Sequence, residues 1–150
     1  MKKLGYMIII FLALLWAYAW NLNGQVGNPA EYISLQSAAS GWKQEVKLLV
    51  SGNDTKEYLS SLSVSETSAA EKYDDEFFSE NVLIAAVITE PAGDVRHEIL
   101  TLKEEDGYIL IRIKRTIPVT SSGTKATTVY LIEADRDFIA GCDNFVIKFI

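Results

Sequence analysis

The sequence predicts a mainly β domain: a small antiparallel sandwich or half-barrel of about six strands with one or two short helices, preceded by an N-terminal apolar helix. Two kinds of observation predict it. Apolar runs of strand length recur through the second half of the chain, separated by turns of hairpin length, and period-two alternation is clear in Ile109, Ile111, Ile113 and in Phe145, Ile147, Phe149. The chain has 150 residues, which leaves room for one core and no internal second domain.

Lys2 and Lys3 precede an uncharged stretch, Leu4 to Trp20. A basic segment followed by an apolar one is what export machinery reads. Ala17-Tyr18-Ala19 presents small residues to a signal peptidase, which favours cleavage before Trp20. The span of 17 residues is also just long enough to cross a bilayer as a helix, and Tyr6, Trp16, Tyr18 and Trp20 suit an interfacial belt. Residues 1–20 therefore read as a signal peptide or a membrane anchor. In either case the folded part is expected outside the cytoplasm, secreted or membrane-anchored, with residues 4–20 as the membrane contact unless cleaved.

Residues 21–41 hold three glycines, one proline and a single charge, and read as a spacer with a short ordered patch at Tyr32 to Leu35. The β-rich domain is then expected over 42–150. Val46 to Val50 is its first strand. Ser51-Gly52-Asn53-Asp54 turns the chain, with Asn53 or Asp54 capping a helix over Lys56 to Leu62, and the Ser/Thr-rich stretch Ser60 to Ala70 reads as a loop. Tyr73, Phe77 and Phe78 can share one face of a short helix that Asn81 closes. Val82 to Thr89, bounded by Glu90-Pro91-Ala92-Gly93, is apolar throughout, as a strand buried on both faces would be. Strands follow at Val95 to Leu102, Tyr108 to Ile117, Thr127 to Ala134 and Phe145 to Ile150.

Charge narrows the function. Without Lys2 and Lys3, 12 basic residues face 20 acidic ones, a formal charge of −8. Such a surface repels phosphate backbones, so nucleic acid is not an expected partner. Cys142 is the sole cysteine, which excludes an internal disulfide and reads as a buried small hydrophobe. His97 is the sole histidine and reads as structural, because a zinc site normally needs several His or Cys ligands. Asp74, Asp75 and Glu76 lack calcium-loop spacing and sit where acids complement a helix dipole. No metal, cofactor or catalytic residue is expected.

The hairpin register singles out one surface. Asp106-Gly107 signals a two-residue type I′ turn, which pairs Glu105 with Tyr108, Lys103 with Leu110 and Leu102 with Ile111. Continued without interruption, that register would bury Glu98 and Arg96. A β-bulge near Leu100-Thr101 instead moves Ile99, His97 and Val95 inward and sends Arg96 and Glu98 out beside Arg112 and Lys114. Arg115 is then the one charge pointing inward. Arg96, Glu98, Arg112 and Lys114 form the expected binding stripe.

Tyr73-Asp74-Asp75-Glu76-Phe77-Phe78, the apolar strand after it, Val95-Arg96-His97-Glu98-Ile99 and Ile113-Lys114-Arg115-Thr116-Ile117-Pro118 together resemble a group of uncharacterised exported bacterial proteins. That pattern is similar in turn to the C-terminal domain of PrcB-type protease-complex subunits, over roughly Val46 to Ile150. The resemblance implies an all-β domain that handles other proteins, as a protease-associated subunit would, without chemistry of its own. Gly93-Asp94-Val95 stands where that family has a Gly-Gly-Tyr type of loop, and no site residue carries across. The expected function is a non-catalytic protein-interaction domain at the cell envelope with a protein partner. A small hydrolase using carboxylates and a purely structural envelope component are the alternatives.

Overall fold

A computed structural model describes residues 28–65, 67–120 and 123–150. The apolar segment 4–20 and the first part of the spacer lie outside the described residues. Among the described residues no helix is long and apolar enough to cross a membrane.

The strands are β1 (Asn28–Pro29), β2 (Tyr32–Ser37), β3 (Gln44–Leu49), β4 (Asn81–Glu90), β5 (Arg96–Glu105), β6 (Tyr108–Thr116), β7 (Ala126–Asp135) and β8 (Asn144–Phe149). They form two four-stranded sheets, ordered β1-β5-β6-β8 and β2-β7-β4-β3. The helices are α1 (Gly52–Ser61), α2 (Asp75–Glu80) and α3 (Arg136–Ile139), with a 3₁₀ turn over Thr67–Lys72.

The alternation of β4 explains how these parts stack. Leu83, Ala85 and Val87 pack with Leu59, Leu62, Tyr73 and Phe78 of the helical segment. Val82, Ile84, Ala86 and Ile88 point the other way, onto Ile99, Ile109, Ile111 and Ile113 of the opposite sheet. Every residue of β4 after Asn81 is buried, as its unbroken apolar run predicts. Three layers result: helices, the β2-β7-β4-β3 sheet, and the β1-β5-β6-β8 sheet. Ile84, Ile109, Ile111 and Ile113 are fully buried between the sheets. Each contributes about 2 kcal/mol by leaving water.

The hairpin and its bulge form as the charge pattern predicts. Asp106 and Gly107 both have positive φ, 49° and 83°. Ile99 pairs with Ile113 but Thr101 pairs with Arg112, so Leu100 is the extra residue. The bulge has a local cost, since Thr101 Oγ1 is buried without a hydrogen-bond partner.

Several expectations are corrected. Tyr32–Ser37, where the sequence suggests only a short ordered patch at Tyr32 to Leu35 within a spacer, is a strand paired with β7 along its whole length, and Leu35 is buried under the helices. Low charge and flanking small residues concealed it, because an edge strand needs few apolar side chains to pair its backbone. The sheets are not antiparallel throughout: β8 runs parallel to β6. The chain leaves β6 for β7 in the other sheet and returns through α3, which is the kind of crossover a parallel pair requires. Ser51, rather than Asn53 or Asp54, caps α1, its hydroxyl accepting from the Asp54 N–H at 3.1 Å. The expected loop at 60–70 is partly ordered: Val64 bridges to Ser37, and Leu62, Val64 and Ala70 are core residues. The second helix is shorter than the aromatic spacing suggests. Asp74 caps it by accepting from the Phe77 N–H at 2.9 Å, and Tyr73 precedes it with its ring against Phe77.

Candidate functional site

Bulge and hairpin place Arg96, Glu98, Arg112 and Lys114 on the outer face of the β1-β5-β6-β8 sheet. Glu98 and Lys114 are cross-strand neighbours 3.6 Å apart, with side chains 60% and 57% exposed. At that exposure the pair contributes no more than about 1 kcal/mol. Arg96 faces Thr116 and Arg112 faces Thr101, so the four residues share a face without forming one bonded cluster. Parallel pairing adds a residue that sequence reasoning missed: Lys148 of β8 stands beside Arg112. Its signal was alternation, since Lys148 falls between inward-facing Ile147 and Phe149, but only the pairing of β8 with β6 reveals its neighbour. Val146 and Ile150, 44% and 50% exposed, lie on either side of it. The other sheet is covered on both faces by the two cores, whereas neither core packs on this face, where Lys114, Val146 and Lys148 are exposed and Leu110 is buried.

A second constellation lies inside the sandwich. His97 reaches inward from β5, Glu90 from the end of β4, Arg115 from β6 and Tyr130 from β7. Glu90 Oε1 is 2.9 Å from His97 Nε2, and Tyr130 Oη is 3.0 Å from His97 Nδ1. Arg115 donates to both carboxylate oxygens of Glu90, Nε to Oε1 at 2.7 Å and Nη2 to Oε2 at 2.6 Å. Phe149 closes the group, 5.7 Å from the His97 ring and 5.9 Å from the Arg115 guanidinium.

One proton arrangement satisfies every atom. Neutral His97 donates from Nε2 to Glu90 and accepts at Nδ1 from the Tyr130 hydroxyl. Burial holds the imidazole below its ordinary range, against the pull of Glu90, and so favours this neutral form. The hydrogen bonds from Arg115 hold the Glu90 carboxyl below the usual carboxylate range, outweighing burial. Burial likewise pushes the Tyr130 hydroxyl up to about 12. Histidine held by a carboxylate and touching a hydroxyl has the parts of a proton relay. Here the imidazole side chain is only 2% exposed, and the group ties the two sheets together.

The remaining acids do not converge. A depression of about 210 Å³ is lined by Lys47, Asp54, Glu57, Tyr58 and Ser61, where Asp54 and Glu57 stand side by side on one helix. Another, of about 240 Å³, lies between the free edges of β3 and β8. Its Glu45 accepts a hydrogen bond from Tyr58 at 2.7 Å, on the helical side of the sheet. Asp74, Asp75 and Glu76 occupy the cap and first turn of α2. Among the described residues no group of three His, Cys, Asp or Glu is arranged to hold a metal ion. Cys142 is free and 5% exposed, packed into the inter-sheet core.

Comparison of the chain with protein-family models, with characterised proteins and with solved structures returns no match.

Proposed function

We propose that this chain is a non-catalytic interaction domain that works outside the cytoplasm and binds another protein through the outer face of β5, β6 and β8. The charge gathered on the outer face of that sheet supports the reading most directly. An otherwise acidic molecule gathers Arg96, Arg112, Lys114 and Lys148 there, while the sheet behind it is shielded on both sides. The Lys2-Lys3 and Leu4 to Trp20 pattern supports delivery across a membrane, and the resemblance to PrcB-type domains supports a protease-associated role. The sealing of His97 and Glu90 supports a role without chemistry.

The test is capture of a partner from envelope extract by the full-length chain, compared with its Arg112→Glu/Lys114→Glu variant. Retention of a defined protein by the wild type and its loss in the variant is the expected outcome. Equal retention by both would remove this face from consideration. Fractionation completes the test: the chain is expected with membrane or medium, and its domain within reach of protease added outside intact cells.

A further inference from the structure

We propose that the outer face of β5, β6 and β8 takes a short acidic amphipathic helix of its partner, with carboxylates on Arg112 and Lys148 and an apolar stripe on Val146 and Ile150. This rests on the reading of the face as a protein-binding surface and names what it binds.

Area decides between a folded partner and a segment. Over the six residue pairs that join β8 to β6, where all three strands run side by side about 4.8 Å apart and rise about 3.3 Å per residue, the face measures roughly 14 by 20 Å. That is about 300 Å² in projection, well under the roughly 800 Å² per partner that a stable interface between globular proteins uses. A second copy of this chain is therefore a poor fit. A helix about 10 Å across and 20 Å long, some 13 residues, covers the face.

Charge sets the sign of the occupant. Arg112 and Lys148 are cross-strand neighbours with no ion pair among the described residues, and Lys114 beside them is tied only to exposed Glu98. Carboxylates three or four residues apart on a helix are separated by about 6 Å, close to the roughly 5 Å between the neighbouring strands that carry Arg112 and Lys148. Val146 and Lys148 alternate along β8 and Ile150 follows at its end, so one helix can set apolar residues on the first and third while its acids meet the second and Arg112. An extended strand added to the free edge of β8 would lie beside this face rather than over it. It could reach Lys148 but would leave Arg112, one strand further in, without a partner.

The probe is a blocked 14-residue peptide of Glu, Leu and Ala, with Leu at helical i, i+3, i+4 spacing, titrated into the full-length chain in neutral detergent and followed by fluorescence anisotropy. Saturable binding is expected, weakened at least tenfold by Arg112→Glu and at least threefold by Val146→Ser. Lys56→Glu on α1 makes the same change of net charge away from the face and is expected to alter binding less than twofold. Equal loss in Arg112→Glu and Lys56→Glu would reduce the effect to net charge and overturn the proposal. A peptide of the same composition with a central proline is expected to bind at least tenfold more weakly; equal binding would overturn the helical occupant in favour of an extended one. If the probe does not bind while envelope capture still depends on Arg112 and Lys114, the acidic helix falls and the protein-binding reading stands. If both fail, both fall.

Discussion

Arg115 on β6 and Glu90 on β4 form a two-pronged ion pair, at 2.7 and 2.6 Å, that joins the two sheets at one end of the sandwich. Arg115 keeps a third of its side chain in water, whereas Glu90 is 9% exposed, so the two partners differ in what their loss costs. Removing Arg115 strands a buried carboxylate. Arg115→Met is expected to destabilise the fold by about 3 kcal/mol, and the double variant Arg115→Met/Glu90→Leu by less, because no charge is left uncompensated. Urea unfolding measures both, and a loss below about 1 kcal/mol in the single variant would show that solvent already screens the pair.

The same cluster makes stability depend on pH with a definite sign. His97 in the fold titrates below its unfolded value of 6.5 because it is buried among Glu90, Arg115, Tyr130 and Phe149. As pH falls through 6.5 the unfolded chain takes up a proton that the folded chain declines, so stability drops between that value and the lower folded one. Glu90 acts in a lower window: its folded value lies below 4.5, and its contribution is lost as pH falls through that folded value. With a single histidine in the sequence, the upper window belongs to His97. Unfolding midpoints are expected to decline from pH 7 to pH 5 in the wild type and to stay flat in His97→Gln. A slope that survives the substitution would place the titrating group elsewhere.

Deleting Leu100 removes the extra residue of the bulge and leaves every other pair in place, since Ile99 already faces Ile113 and Thr101 already faces Arg112. Glu98 and Arg96 stay outward and His97 inward, so circular dichroism is expected to show the deletion variant folded at 25 °C. Inserting one alanine beside Leu100 has the opposite effect: it moves Ile99 opposite Lys114 and turns Glu98 and Arg96 toward the core. Burying those two charges costs roughly 4 kcal/mol or more, enough to unfold a domain of ordinary stability. Equal stability of the insertion and deletion variants would argue that the bulge does not set the register.

Cys142 is expected to be inert in the native protein. Its thiol lies in the core beside Ile139, whose carbonyl accepts the Cys142 N–H at 2.9 Å. Labelling by an aromatic disulfide reagent should take at least a hundredfold longer without denaturant than in 6 M guanidinium. Rapid labelling of the native chain would show that the α3 turn opens on its own.

The sequence by itself determined the elements governed by local rules. Alternation marked β6 and β8, an unbroken apolar run marked β4 as buried on both faces, and Asp106-Gly107 set the hairpin. The charges Arg96 and Glu98 even pointed to a bulge near Leu100-Thr101, because it leaves them outward-facing and avoids the cost of burying them. Tertiary structure alone decided which distant strands became neighbours. Nothing in Tyr32–Ser37 announces its pairing with β7, and nothing in Asn144–Phe149 announces that it lies parallel to β6, bringing Lys148 beside Arg112. Backbone pairing carries no side-chain signature, so those choices follow from how the two sheets close over the core. The partners of His97 were hidden for the same reason. Glu90, Arg115 and Tyr130 come from three different strands, and only the stacking of the sheets gathers them around His97 and seals the imidazole from water.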